Sequence, residues 1–368
     1  MDSNRTFAPA VLSDFLNESG QPNVSSPTSG AVLGTTIDAH YSTELQCKMF
    51  TLVVYVIIFG TMCLGGLVGN SLSFVVLLWD KYSHLPSTFL LRALALTDNF
   101  FLLTTGTSQI FAAMCLYREV IDHPLTPYMR KYLWPLVHIT QLETVWITVL
   151  ISVNRFIAIC LPFRALSLCT LSRVRLQVGA LFVLTILYNI PRFYETQLKQ
   201  NYLYNIVYEN VLYGLVVFLV PFLILTVLNA RLIHEIIRLG NRLGNSSATH
   251  QPMRDEEEER NITVVMTAVV VLFLVCQTPA CINHLLFYVL GPEAYLCGHP
   301  YFYYYHISNL VVSSTACINF VVYCIFRHRF RQRIHLFFKY GRKRALIRRA
   351  STLKTYIRNS RNRLTEVT

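Results

Sequence analysis

The hydropathy pattern of the chain is a series of long apolar runs. Residues 50–79, 88–116, 132–162, 176–194, 206–236, 262–290 and 302–326 are each apolar over a bilayer-crossing length, for which about 20 helical residues suffice. A porin-like barrel would alternate apolar and polar residues over strands of about ten, and the unbroken runs exclude it. The pattern predicts an all-α membrane protein, a seven-transmembrane helix bundle over residues 47–326. A polar, disordered segment over 1–46 precedes it. A short amphipathic helix is expected over 327–340, with a basic tail over 341–368. No internal repeat is visible, so nothing favours a transporter built from duplicated halves.

Composition sharpens this reading. Only 14% of the 368 residues are charged, against about 25% in soluble domains, too few to cover a water-facing surface. The net charge of +12 is concentrated at one end. From Arg327 onward there are 14 Lys and Arg and one acid, Glu366, so the preceding 326 residues sum to −1. A basic tail suits nucleic acid or anionic lipid. Behind seven spans the expected partner is membrane lipid of the inner leaflet, and no nucleic acid is expected.

Orientation follows from the positions of Lys and Arg. Arg155, Arg164, Arg173 and Arg175 in one connection, Arg231, Arg238, Arg242, Arg254 and Arg260 in another, and the tail all fall on one side. That side is cytoplasmic and the amino terminus is extracellular. Asn-x-Ser/Thr triplets beginning at Asn4, Asn17 and Asn23 are the expected glycosylation sites. The start lacks the apolar segment of a cleavable signal peptide, so the first span is expected to act as signal anchor and to place the chain, multi-pass, in the plasma membrane.

The connections are short except for 238–260, which carries the acidic run Asp255 to Glu259 ahead of span six. A helix N-terminus favours negative charge, so this run reads as a solvated cap. After the last span, apolar residues at 326, 330, 334 and 337–338 form one face opposite a basic one, the pattern of a helix lying in the membrane surface.

Polar groups inside a membrane are costly and mark function. Asn70 follows Gly69 in span one, and Asp98 ends Leu94-Ala95-Leu96-Thr97-Asp98 in span two. Arg155 closes span three behind Asn154, Pro221 and Pro279 interrupt spans five and six, and Asn319 and Tyr323 end span seven. Any one of these could be a satisfied helix contact, but their order along seven spans is specific. It resembles the rhodopsin-like G-protein-coupled receptors over about residues 50–335. The resemblance implies a buried polar cluster of Asn70, Asp98, Thr144 and Asn319 that holds a sodium ion on Asp98, and no other cofactor. It also implies a switch in which Asn154, Arg155, Pro221, Pro279, Asn319 and Tyr323 take part as the inner ends of spans five and six open to a heterotrimeric G protein. A narrower resemblance, to invertebrate receptors for FMRFamide-like neuropeptides, lies in Arg164-Ala165-Leu166-Ser167-Leu168-Cys169-Thr170 and in Tyr188-Asn189-Ile190-Pro191-Arg192-Phe193.

Departures from the family pattern are as informative. Asn154 stands where many members have an acid, and a neutral amide cannot form the charged pair that restrains the arginine, so raised basal signalling is expected. The usual Cys-Trp-x-Pro is Cys276-Gln277-Thr278-Pro279, Phe320 replaces a proline, and span four has no tryptophan. The disulfide from span three to the second outer loop is missing at both ends, with Arg130 at the expected position and no cysteine over 192–210. Cys47, Cys115 and Cys297 lie near the oxidising outer side. A Cys47–Cys297 bridge is favoured, with Cys115 in place of either partner, or no bridge, as the alternatives.

The ligand site implied is the outward cleft between spans three, five, six and seven. Helical spacing points Trp134, Val137, His138, Gln141, Asn210, Tyr213, Gln277, His284, Tyr305 and Asn309 inward. An extracellular peptide ligand ending in Arg-Phe-amide needs an acid for its guanidinium and aromatics for its ring. Glu195 and Glu209 are the acids near the outer rim, while Glu143 lies deeper and faces span four. The run Tyr301 to Tyr305 is either a peptide platform or an interfacial belt. In the tail, Arg348-Arg349-Ala350-Ser351 resembles a basophilic kinase site, and phosphorylation at Ser351 would weaken lipid attraction and create an arrestin-binding pattern. Catalytic motifs of hydrolases and metalloproteases are absent from the sequence, as are the charge rings and broken helices of channels and transporters. No enzyme is expected. A constitutively active or non-peptide receptor of the same fold is the remaining alternative.

Overall fold

The computed structural model describes residues 42–79, 85–118, 123–198, 200–244, 254–326, 330–332, 334–336 and 339. The expected glycosylation sites Asn4, Asn17 and Asn23, the segment 1–41, and Ser351 with the tail 341–368 lie outside these residues. Seven helices are long and apolar enough to cross a membrane: α1 (Ser42–Leu78), α2 (Pro86–Arg118), α3 (Thr126–Cys160), α4 (Leu171–Leu198), α5 (Leu203–Glu235), α6 (Thr263–Phe287) and α7 (Pro300–Val322). All the regular structure among the described residues is helical. Among the described residues, part of the connection between α5 and α6 is helical. Helix continues from α5 to Gly244 and resumes at Arg254, so the acidic run occupies the first turns of the helix that becomes α6.

Local chemistry sets several boundaries. Thr170 caps α4, its Oγ1 accepting from the Arg173 N–H at 3.4 Å, which gives the Cys169-Thr170 stretch a structural role. Pro221 lacks an N–H and its ring crowds the carbonyl four residues back. The turns of α5 just before it, Gly214–Leu219, are widened to π-helix, and Leu203–Leu212 is π-helical as well. Pro279 lies inside α6, where the Tyr304 hydroxyl donates to its carbonyl oxygen at 2.9 Å.

The core sits where the inner halves of the helices converge. Leu90, Leu91 and Leu94 of α2, Ile147 and Ile151 of α3, Leu225 of α5, and Met266 and Phe273 of α6 are buried together. Phe330, in the helical turns that follow α7, joins this cluster, with Ile334 packed against it. Phe330 and Ile334, expected on a face lying against the membrane surface, thus pack on the bundle instead. Many other leucines and valines face outward: Leu64, Val68, Leu176 and Val275 are more than 60% exposed, as suits hydrocarbon rather than water.

Phe320, which replaces the family's proline, is seated on Gly69. A Cβ at Gly69 would lie 2.7 Å from Cβ and Cγ of Phe320, so only glycine lets α1 and α7 approach this closely. The Phe320 ring also meets Phe330 edge-on at 6.2 Å. Gly69→Ala is expected to cost about 1–3 kcal/mol by overpacking, read as a lower melting temperature of the solubilised protein. Adding Phe320→Ala should recover part of that loss, and a strictly additive double variant would refute the contact.

Candidate functional site

Three polar centres run through the bundle from its outer to its inner end. The outer one is built on α3, the last turns of α4, and the π-helical part of α5. On α3, Trp134 and His138 meet edge-on at 4.7 Å, and His138 meets Tyr213 of α5 at 5.3 Å. The Tyr213 hydroxyl donates to Oε1 of Gln141 at 3.1 Å. Tyr213 also lies 6.2 Å from His284 of α6, and His284 is within hydrogen-bonding reach of the Asn210 backbone. A Cβ at Gly214 would overlap Nε2 of His284, so a glycine permits this contact of α5 with α6. Val137 is buried beside them.

The residue that organises this corner is Arg192. It sits in the tight turn Ile190–Tyr194 made by Pro191 and is 4% exposed. Its guanidinium lies over the rings of Tyr213 at 4.9 Å and Tyr208 at 5.4 Å, and its Nη1 is 3.7 Å from Oε1 of Glu209. Tyr208 stacks on Tyr204 at 5.2 Å and donates to the Tyr188 carbonyl at 2.8 Å. Sequence reasoning placed Glu209 as an acid open to a ligand guanidinium; the chain's own Arg192 faces it instead. Glu195 is buried one turn beyond Arg192. An isolated arginine at the end of an apolar run was itself the signal, since an intramembrane charge is kept only with a partner or a function.

Several polar atoms here have no hydrogen-bond partner among the described residues: Arg192 Nε, both ring nitrogens of His138, and the Tyr188 and Tyr204 hydroxyls. Leaving a buried donor unmade costs about 1–3 kcal/mol. The missing family disulfide has a physical substitute at this place: the outer turns of α3 over Met129–Leu133 pack on Ile190–Tyr194, and Arg192 ties α4 to α5.

The remaining cleft candidates divide. Asn309 of α7 lies within side-chain reach of Tyr305 on its own helix and of Tyr55 of α1. Tyr305 meets Tyr295 of the third outer loop at 5.9 Å. Tyr295 is buried, which pushes its phenol up to about 12, and its hydroxyl donates to the Asn283 carbonyl at 3.1 Å. Asn210 turns away, its Nδ2 donating to the Asn205 carbonyl at 2.7 Å, as the wide π-turn allows. Gln277 is buried deeper, its Nε2 without a hydrogen-bond partner among the described residues. The Tyr301 to Tyr305 run winds around α7: Tyr303 packs on Phe50, Phe302 on His306, and Tyr304 reaches Pro279. It therefore docks α7 on its neighbours rather than presenting one platform. Glu143 accepts from the Thr185 hydroxyl of α4 at 2.9 Å. Cys47 and Cys297 are joined by a disulfide and Cys115 is a free thiol.

The middle centre joins α1, α2, α3 and α7. Asn319 Nδ2 donates to Asp98 Oδ2, Asn70 Nδ2 donates to the Ala316 carbonyl at 2.8 Å, and Thr144 faces Asp98. Asp98 Oδ1, Asn70 Oδ1 and Thr144 Oγ1 are buried without hydrogen-bond partners among the described residues. Such a set of hard oxygens around one carboxylate suits a small hard cation.

At the inner end, Arg155 is buried and its Nη1 donates to Oγ1 of Thr263 on α6 at 3.2 Å. Asn154 folds back on its own helix, its Nδ2 donating to the Leu150 carbonyl at 2.9 Å. Thr263 was not legible as a partner from the sequence, because a threonine in an apolar helix carries no distinguishing signal. Pro221 and Pro279 lie several turns away from this contact, inside α5 and α6. Tyr323 lies on the continuation of the α7 helix to Phe326, and its side chain is outside the described residues.

Comparison with known proteins gives the same answer from another direction. The family "7 transmembrane receptor (rhodopsin family)" matches residues 69–323. The FMRFamide receptor of Drosophila melanogaster is 24% identical over 74% of this chain and 51% of its own length. The FMRFamide peptide receptor frpr-18 of Caenorhabditis elegans is 29% identical over 76% of this chain and 67% of its own. Neurotensin receptor type 1 of Rattus norvegicus is 24% identical over 89% of this chain and 82% of its own. The chain thus spans about half the length of the Drosophila receptor it matches.

Proposed function

The chain belongs to the rhodopsin family of seven-transmembrane receptors, and from that premise we propose that it binds an extracellular amidated neuropeptide of the FMRFamide type and activates a heterotrimeric G protein. The observation that carries the reading is the pairing of a buried, donor-rich outer corner with Arg155 bonded across to α6 at the inner end. The first is a place for a ligand; the second is a contact between α3 and α6 that must break when the inner face opens. Tyr213 and His284 connect the two, since both touch the ligand corner and His284 stands on α6. The names of the Drosophila and Caenorhabditis relatives support the ligand class. The protein acts at the plasma membrane, and a sodium ion held by Asp98, Asn70 and Thr144 would supply the charge that balances Asp98 in the resting state.

The test is expression in cells with calcium and cyclic AMP recorded while amidated peptides are applied, Arg-Phe-amide peptides among them. A saturable response is expected. Silence to every peptide at confirmed surface expression, with high basal signalling, would instead establish a constitutive or non-peptide receptor, a reading that Asn154 favours because its side chain is committed to its own helix.

A further inference from the structure

The outer corner combines groups of opposite hydrogen-bonding demand. Arg192 is 4% exposed, and its Nε–H has no hydrogen-bond partner among the described residues. Glu209 lies 3.7 Å from its Nη1, and Tyr204 is within electrostatic reach of Arg192, Glu195 and Glu209 together. An ionised carboxylate only accepts and a guanidinium only donates. A group that satisfies both kinds at once must offer one acceptor oxygen and N–H donors side by side.

A primary amide does this. A free carboxylate would suit Arg192 but bring like charge against Glu195 and Glu209. A guanidinium would suit the two acids but face Arg192. We propose that Arg192, Glu195 and Glu209 form the subsite that reads the ligand's C-terminal primary amide, Arg192 Nε–H donating to the amide oxygen and the carboxylates accepting from the amide nitrogen. This rests on the peptide-receptor reading above and adds to it the residues that distinguish an amidated from a free-acid terminus. The rings of Tyr208 and Tyr213 hold the guanidinium at 5.4 and 4.9 Å, so Arg192 is fixed before the ligand arrives.

The experiment uses the full-length receptor in cells and one active peptide made as its primary amide and its free acid. Wild type is expected to prefer the amide by about a hundredfold in EC50, as a site built on buried polar partners rejects a mismatched group. Glu195→Gln and Glu209→Gln each remove a repelling charge and should narrow that ratio about tenfold by improving the acid. Arg192→Gln should weaken both termini, and the acid more than the amide, because a free carboxylate loses its one cationic partner in the subsite. Should Arg192→Gln fail to reach the surface, the near-isosteric Glu195→Gln and Glu209→Gln decide the matter alone. If all variants lose potency for both termini equally, the cluster only supports the fold and the subsite is refuted. Equal wild-type potency of the two termini would likewise refute the subsite while leaving the peptide receptor standing. Absence of any peptide response would remove the receptor reading, and the subsite with it.

Discussion

Arg155→Ala is expected to cut ligand-stimulated G-protein activation by about a hundredfold, with surface density unchanged. The expectation follows from where the side chain sits and what it holds. Arg155 is buried at the inner end of α3 and donates to Thr263 of α6, so its charge is available to a G protein only after α6 has moved. Coupling between two sites on one molecule is typically about 5–150-fold. It is also reciprocal: if Arg155 carries the coupling, its loss must remove the increase in agonist affinity that the G protein produces. Radioligand binding with and without G protein therefore checks the same variant a second way. Thr263→Val should act in the opposite direction. A hydrogen bond to a charged group contributes about 1.5–3 kcal/mol. If this one is made only in the closed state, its loss raises basal signalling roughly tenfold or more. Unchanged basal signalling in Thr263→Val would mean that this bond does not restrain the resting state.

The second large effect is expected at the outer end. Cys47 begins its turn of α1 and Cys297 belongs to the loop between α6 and α7, 250 residues apart in sequence and joined by a disulfide. The bridge ties the start of α1 to the loop that also carries Tyr295, and Tyr295 supports Asn283 of α6 and Tyr305 of α7. Cys47→Ser is expected to destabilise the folded receptor by about 2–4 kcal/mol, the usual range for a native disulfide, and to lower ligand affinity through displacement of α7. Cys297→Ser should match it, and the double variant should be no worse than either single one. Cys115→Ser is the control, because Cys115 is a free thiol in α2. Melting temperature and ligand binding on the same preparations test this; a double variant clearly worse than both singles would show that each thiol has a separate role.

The number of spans, their order and the family were legible in the sequence for one physical reason. A bilayer demands unbroken apolar helix, and a polar group kept inside it despite the cost stands out against that background. Asn70, Asp98, Arg155, Pro221, Pro279 and Asn319 were each visible in this way; the apolar spacing of Phe330 and Ile334 was visible too, although their seat on the bundle rather than on lipid was not. What the sequence could not supply was which apolar face looks inward. Lipid and protein core are both apolar, so Leu64 facing outward and Leu94 in the core look alike along the chain, and spacing alone left Asn210 among the ligand residues when its side chain is spent on its own π-turn. Pairings between helices were equally hidden. Glu209 is an acid near the rim by sequence; only the packing of α4 against α3 and α5 sets Arg192 beside it. The bundle's membership was written in single residues against a uniform background, whereas its partnerships depend on rotations of helices whose surfaces that background does not distinguish.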